Sequence, residues 1–124
     1  MIERTTGRAH RFDLEERTLT FAKGVVRFCQ GVAREPINRE LVSQAVRASG
    51  SVGANYREAN DALSKKDFSH RIRIALREAK EAQYWLELLQ DANPATDGEA
   101  RVLVQEALEL RKILSTIAKK VSSR

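Results

Sequence analysis

The 124-residue chain is predicted to be all-α, an antiparallel up-and-down four-helix bundle with a left-handed supercoil. Apolar residues recur at alternating steps of three and four along four segments, the spacing of one helix face. The two prolines, Pro36 and Pro94, both lie between these segments, and glycine is sparse. Amphipathic helices with short connections pack side by side, and a mean apolar step near 3.5 residues favours left-handed crossing at about 20°.

The first helix is predicted over residues 13–33, and residues 1–11 are expected to form an extended or mobile tail because they show no apolar period. Asp13 and Glu16 have the spacing of a capping box, in which each side chain bonds an otherwise unpaired backbone amide. We expect Pro36 to end this segment. The stripe that should face the core is Leu14, Thr18, Phe21, Val25, Phe28 and Val32.

The second helix is predicted over residues 38–62, with Asn38 as its N-cap. Gly50 and Gly53 lie inside it, where each glycine costs about 1 kcal/mol relative to alanine. We therefore expect a neighbouring backbone or bulky side chain to approach closely at these positions. The predicted core stripe is Leu41, Ala45, Ala48, Val52, Asn55 and Ala59.

The third and fourth helices are predicted over residues 65–91 and 97–121. Ser64 with Asp67, and Thr96 with Glu99, have capping-box spacing at their starts. Apolar residues again follow in steps of three and four. They are Phe68, Ile72, Ala75, Ala79, Ala82, Leu86 and Leu89 in the third helix, and Leu103, Ala107, Leu110, Leu114, Ile117 and Val121 in the fourth.

Catalytic, metal and cofactor signatures are missing from the sequence, so we expect a protein that is not an enzyme and has no cofactor. No Glu is followed by His three residues later, the pair that bundle di-metal sites use, and the only histidines are His10 and His70. Cys29 has no histidine nearby and is expected to be a small core residue. Asn55 lies on the stripe of the second helix, and Ser51 and Glu58 lie near its edge. We expect these polar residues to set helix pairing through hydrogen bonds; the alternative is a contact with a ligand or RNA.

The sequence predicts no contact with a membrane. No run of about 18 apolar residues occurs, and Met1 to Arg11 does not have the apolar stretch of a signal peptide. The single cysteine cannot form an internal disulfide, which favours the reducing cytoplasm.

Basic residues are concentrated in two places, although the net charge is only +5. Residues 65–80 carry six basic and two acidic groups, and residues 111–124 carry five basic groups and no acidic one. Positioned cations are sufficient for phosphate contacts, so RNA or another nucleic acid is the predicted partner. The alternative is a protein-interaction or structural scaffold whose charges form an ordinary solvated face. The candidate contacts are Lys65, Lys66, Arg71, Arg73, Arg77, Lys80, Arg111, Lys112, Lys119 and Lys120.

The third helix also has apolar residues away from its core stripe. Ile74, Tyr84, Trp85 and Leu88 fall on its flank and back, where a bundle helix should be polar. Exposed aromatic and aliphatic groups together are typical of an interface. We predict that these four residues mediate self-association. The alternative is that the N-terminal segment covers them or that the third helix is more centrally buried.

Residues 47–89 resemble the four-helix-bundle family of proteins encoded in intervening sequences of bacterial large-subunit ribosomal RNA genes. The residues that carry the resemblance are Arg47–Ala48, Ser51–Val52, Ala54–Asn55, Glu58–Ala59, Lys66–Asp67–Phe68, Ile74–Ala75, Glu78–Ala79, Glu81 and Tyr84–Trp85–Leu86. Many members have Ile-Ala-Glu-Gly after the Asn, whereas Tyr56, Arg57, Glu58 and Ala59 follow it here. The resemblance implies a small bacterial bundle that assembles as a ring, a pentamer. It also implies a fold similar to the basic, nucleic-acid-binding accessory protein of diversity-generating retroelements.

Overall fold

The chain forms four helices in the computed structural model, which describes the backbone of residues 2–122 and the side chains of residues 14–122. They are α1 (Ile2–Gly31), α2 (Pro36–Asn60), α3 (Lys65–Ala92) and α4 (Asp97–Ser122). A 3-10 turn at Pro94–Thr96 joins the last two, and no strand occurs in the described part of the chain. The prediction of an all-α protein with four helices is confirmed.

The first helix begins at Ile2 rather than near Asp13, so the helix includes the segment predicted as a tail. Residues 2–12 contain no proline and only one glycine, Gly7, so nothing in them forces the helical backbone to stop. An apolar period marks where a core-facing stripe begins, and a helix can extend beyond it. The capping box predicted at Asp13 lies outside the residues whose side chains are described.

The second helix begins at Pro36, and its N-cap is Glu35 rather than the predicted Asn38. The Glu35 carboxylate accepts hydrogen bonds from the backbone amides of Ile37 and Asn38. Pro36 takes the first helical position, where the missing N–H has no helical partner to lose. Pro36 therefore starts α2, whereas the prediction was only that it ends the preceding segment.

Asn38 is buried and joins three parts of the chain instead of capping α2. Its side-chain amide donates to the Ala33 carbonyl oxygen and to Asn93 Oδ1, both at 2.9 Å. The Asn93 amide donates back to Asn38 Oδ1, also at 2.9 Å. This reciprocal amide pair fastens the α1–α2 connection and the start of α2 to the end of α3.

The predicted cap of α3 is present: the Ser64 hydroxyl accepts a hydrogen bond from the Asp67 backbone amide at 3.1 Å. At the next connection the Thr96 hydroxyl donates to the Asn93 carbonyl oxygen at 2.8 Å, inside the 3-10 turn. Thr96 thus stabilises the turn, and α4 starts one residue later.

Each helix packs against the next, and α4 returns to pack against α1. Contact is most extensive between α2 and α3 and least extensive between α1 and α4. Side-chain bonds between α2 and α3 join Asn38 to Asn93, Arg47 to Glu81, and Asn55 to Arg71. The residue number falls along α3 as it rises along α2, so these two helices run in opposite directions.

The predicted stripes supply the core, with one exchange on α2. Tyr56 is buried, whereas Asn55 is half-buried at the edge that faces α3. Tyr56 lies four residues after Val52 and three before Ala59, which places it on the same helix face as both. The Asn55 amide donates to the Ser51 carbonyl oxygen at 2.9 Å, and Asn55 Oδ1 accepts from Arg71 at 3.2 Å.

Gly53 lies where α2 crosses close to α1. A Cβ atom at this position would be 2.8 Å from Oγ1 and 3.2 Å from Cβ of Thr18, which is completely buried. The expectation of a close approach is therefore confirmed for Gly53. It is wrong for Gly50, because a Cβ atom there would meet nothing within 4 Å.

We expect Gly53→Ala and Gly50→Ala to change stability in opposite directions. Gly50→Ala should raise the free energy of unfolding by up to about 1 kcal/mol, since it gains helix propensity with no contact. Gly53→Ala gains the same propensity but overpacks Thr18, a cost of roughly 1–3 kcal/mol, so its net effect should be destabilising. Urea denaturation followed by circular dichroism measures both. Equal stabilisation by the two changes would contradict the close approach, and Thr18→Ala should relieve the Gly53→Ala defect.

Candidate nucleic-acid interface

Basic side chains from two helices meet along the groove between α3 and α4. Arg73 and Lys80 come from α3, and Arg111, Lys112 and Lys119 come from α4. The other residues lining this basic groove are uncharged: Leu76, Leu108, Ser115, Thr116, Ala118 and Ser122. No carboxylate is among these lining residues, so the groove has one sign of charge.

Two hydrogen bonds define how the basic groove is aligned. The Arg73 guanidinium donates to the Ser122 hydroxyl oxygen at 2.5 Å, and the Arg111 guanidinium donates to Gln83 Oε1 at 2.7 Å. Residue 73 therefore lies opposite residue 122, and residue 83 opposite residue 111. Ten residues of helix separate these two levels, which is about 15 Å. The cations form a row along the groove rather than a single cluster.

Lys80 and Lys119 are exposed, and neither forms an ion pair with a described carboxylate. The Lys112 ammonium is 3.4 Å from the Glu109 carboxylate, one turn earlier on α4. An exposed pair of this kind contributes about 0–1 kcal/mol, so it holds Lys112 only weakly. The row consequently contains charges that are open to an anionic partner.

The far end of the α3–α4 groove carries the opposite charge. Near the 3-10 turn, the groove is lined by Glu87, Asp91 and Asp97 together with Gln90 and Pro94. The basic end of the groove lies beside the start of α3 and the end of α4. The field thus changes sign along the bundle, and a polyanion would be attracted to one end and repelled from the other.

Five of the ten predicted nucleic-acid contacts lie outside the basic groove. Lys65 and Lys66 are exposed at the start of α3, Arg77 is exposed, and Lys120 is exposed near the end of α4. Arg71 points towards α2, where it bonds Asn55. The structure therefore divides the ten predicted contacts into five that line the basic groove and five that lie elsewhere on the surface.

The predicted interface residues are exposed to different degrees. Tyr84 is 58% exposed and Leu88 36% exposed, so both face away from the core. Ile74 is half-buried, and so is Trp85, which packs against the core cluster and meets the Tyr84 ring edge-to-face at 5.2 Å between ring centres. The expectation that Trp85 points away from the core is corrected, since its large ring contributes to both the core edge and the surface.

In the described part of the chain, the buried polar residues differ from the three that were predicted to set helix pairing. Glu58 is exposed, and Ser51 is half-buried with its carbonyl oxygen bonded to Asn55. The buried polar residues are Thr18, Asn38, Ser49 and Glu78. The Glu78 carboxylate is 3.4 Å from the Arg47 guanidinium, which also reaches Glu81 at 3.0 Å. The burial of Glu78 could be predicted from the sequence, because Glu78 is adjacent to Ala79, a residue of the core stripe. The burial of Asn38 could not, because its partners Ala33 and Asn93 belong to two different connections.

The remaining candidate chemical group, Cys29, is a buried free thiol. It lines a cavity of about 280 Å³ beside the α1–α2 connection, and desolvation by burial raises its pKa to about 11. A thiol with a raised pKa is a poor nucleophile at neutral pH. Among the described residues, no three His, Cys, Asp or Glu side chains are placed to hold a metal ion, and no described helix is long and apolar enough to cross a membrane.

The four helices define a small all-α protein. The sequence profile of the 23S rRNA-intervening sequence protein family matches residues 11–116, so the chain belongs to this family. It is similar, with a TM-score of 0.75 and 34% identity, to a protein of unknown function from the S23 ribosomal protein family of Bacteroides thetaiotaomicron VPI-5482. That likeness covers 85% of this chain and 97% of the other. No curated protein matches the chain.

We expect burial of Cys29 to make stability fall at alkaline pH. The folded pKa is raised, so the stabilisation is complete below the ordinary thiol pKa near 9 and is lost as pH rises through about 11. Urea midpoints measured from pH 8 to pH 11 should therefore decline in the unmutated protein. Cys29→Ala should decline less over the same range, and identical slopes for the two proteins would contradict the assignment.

Proposed function

We propose that this protein is a non-enzymatic, cytoplasmic oligomer that binds RNA or another nucleic acid through the basic groove between α3 and α4. One observation carries the proposal: five cations from two helices line the same groove, and no carboxylate lies among the residues that line it. The number of cations in the sequence does not distinguish cations gathered in one groove from cations spread over every face of the bundle. Their convergence on one groove favours a linear anionic partner.

The groove lining favours contact with the phosphate backbone rather than reading of bases. None of the residues lining the basic groove is aromatic, and sequence-tolerant single-strand sites commonly stack bases on aromatic rings. Lys and Arg contacts to phosphate position a nucleic acid without specifying its sequence. Binding should therefore depend strongly on salt and weakly on sequence.

We expect Lys80→Glu combined with Lys119→Glu to weaken RNA binding and to reduce its salt dependence. The two changes remove two phosphate contacts, so the slope of log affinity against log salt should fall by roughly two units. Fluorescence anisotropy with a labelled structured RNA, titrated at several salt concentrations, measures both quantities. Both lysines are exposed and outside the core, so the variant should remain folded.

Lys23→Glu with Arg34→Glu is the matched control, because it changes the net charge equally at two exposed positions outside the groove. It should weaken binding much less than the groove variant. Equal loss in the two variants would show a general charge effect and remove the groove from the proposal. Absence of salt-sensitive binding by the unmutated protein would favour the alternative, a protein-interaction or structural scaffold.

We further propose that the bundle, antiparallel and left-handed, associates with copies of itself as a ring, a pentamer as the family resemblance implies. The support from this chain is the exposed apolar surface of α3, which contains Tyr84 and Leu88 with half-buried Trp85 beside them. These three side chains form an apolar patch of the kind that interfaces bury. The fourth predicted residue, Ile74, lies about 15 Å away along the same helix.

We expect Tyr84→Glu combined with Leu88→Glu to shift the protein to a smaller species. Charges placed at these exposed positions would have to be desolvated in an interface, while the core residues stay unchanged. Sedimentation velocity at matched concentrations measures the species present. Ile37→Glu, at a 65% exposed apolar residue elsewhere, is the control and should leave assembly unchanged. An unmutated protein that sediments as a monomer would end the self-association proposal.

A further inference from the structure

A second apolar surface lies on the edge of the bundle where α1 meets α4. This pair of helices has the least extensive contact of any neighbouring pair. Between them is an open groove of about 930 Å³, whose apolar lining comes from Phe21, Gly24, Val102 and Leu103. Val102, one of these lining residues, is 69% exposed. We call this surface the α1–α4 groove.

The bond from Arg17 to Glu106 shows that side chains, rather than close backbone packing, join the two helices at one end of this groove. The guanidinium makes two hydrogen bonds to the carboxylate, at 2.7 and 2.9 Å. Further along, a Cβ atom at Gly24 would be 3.1 Å from the end of Leu103. The α1–α4 groove is therefore a depression between the two helices with an apolar floor.

The exposed apolar patch of α3 lies on a different side of the bundle, the outer face of α3. It belongs to a stripe that advances in steps of three and four, namely Ile74, Arg77, Glu81, Tyr84, Leu88 and Asp91. We call this stripe the α3 ridge. Glu81 pairs with Arg47 of α2, whereas Asp91 borders the α3–α4 groove, so the ridge runs along the outer face of α3 between its two neighbours. Among the described residues α3 contacts α2 and α4 but not α1, so this outer face points away from α1.

The charges along the two surfaces are complementary at both ends. In the α1–α4 groove, exposed Arg27 lies near the end of α1, and exposed Glu16 lies 11 residues earlier, about 16 Å away. On the α3 ridge, Asp91 lies at the same end of the bundle as Arg27. Arg77 lies 14 residues earlier, about 21 Å away, towards the end where Glu16 is found. The reach of Arg and Glu side chains spans this difference of about 5 Å.

We infer that the α1–α4 groove receives the α3 ridge of a second copy of this chain, with Tyr84 and Leu88 against the groove floor. Arg77 then approaches Glu16, and Asp91 approaches Arg27, when the copies are related by rotation about an axis roughly parallel to the helices. Because the two surfaces differ and lie on different sides of the bundle, the contact is head-to-tail and can close into a ring. This inference rests on the self-association proposed above and adds the surface that accepts the ridge.

Mixing two assembly-defective variants tests the inference. The ridge variant is Tyr84→Glu with Leu88→Glu, and the groove variant is Thr20→Glu with Val102→Glu, which also changes exposed residues. Each variant alone should be monomeric by sedimentation velocity. Mixed in equal amounts, they should form a one-to-one dimer and nothing larger, because one intact ridge meets one intact groove and the two surfaces that remain are blocked.

Other outcomes separate this inference from the broader proposal. A groove variant that still assembles like the unmutated protein overturns the inference but leaves self-association standing. Two monomeric variants that fail to combine also overturn it. An unmutated protein that is already monomeric would contradict both this inference and the self-association proposal. Circular dichroism and a thermal melt of each variant check that loss of assembly is not loss of folding.

A charge exchange provides an independent test. Arg77→Glu and Glu16→Arg should each raise the subunit dissociation constant by roughly fivefold, the size expected for one rim ion pair turned repulsive. The chain that carries both changes restores the pair at every interface, so its dissociation constant should return to within about twofold of the unmutated value. Additive weakening in the double variant would show that these two side chains do not meet.

Discussion

The close packing of α2 against α3 is the constraint on which the rest of the structure depends. Small residues form the buried faces of both helices: Ala45, Ala48, Ala59, Ala75, Ala79 and Ala82. Short side chains let two helix backbones approach closely, and this pair has the most extensive contact in the molecule. The amide pair of Asn38 and Asn93 fastens one end of the hairpin, and Arg47 spans its middle by bonding Glu78 and Glu81. With this pair fixed, α4 packs on α3 and sets the width of the basic groove, while α1 packs mainly on α2 and leaves the α1–α4 side open.

Sequence periodicity predicted the four helices, most of the core and the cap at Ser64, because each depends on residues near one another in the chain. It failed where a residue's role depends on contacts between segments that are distant in the chain. Asn38 looks like an N-cap by residue type, yet its amide is required by Ala33 and Asn93, and Glu35 takes the capping role. Tyr56 lies on the core face by spacing, but Asn55 fits a small-residue stripe equally well until the position of α3 is known. Among the cations, the sequence identified the two helices involved, whereas their division between groove and outer faces depends on the register of α3 against α4.

Uneven contact between the helices is compatible with a single core. Leu14, Phe21 and Val25 bury the inner face of α1 completely or nearly so, so α1 is held by its core stripe even though its flank towards α4 is loosely packed. Leu86, Leu89, Leu110 and Leu114 fill the opposite half of the core without exposure. Core stability and surface shape are thus set by different residues, and the open flank can vary in shape while the hydrophobic centre stays the same.

The change of charge sign along the α3–α4 groove has a consequence for any assembly built with parallel bundle axes. Every copy would place Arg73, Lys80 and Lys119 towards one rim and Glu87, Asp91 and Asp97 towards the other. The α3–α4 grooves of such an assembly would therefore present their cations at the same rim. A polyanion that follows these grooves would be attracted to that rim, most strongly at low ionic strength.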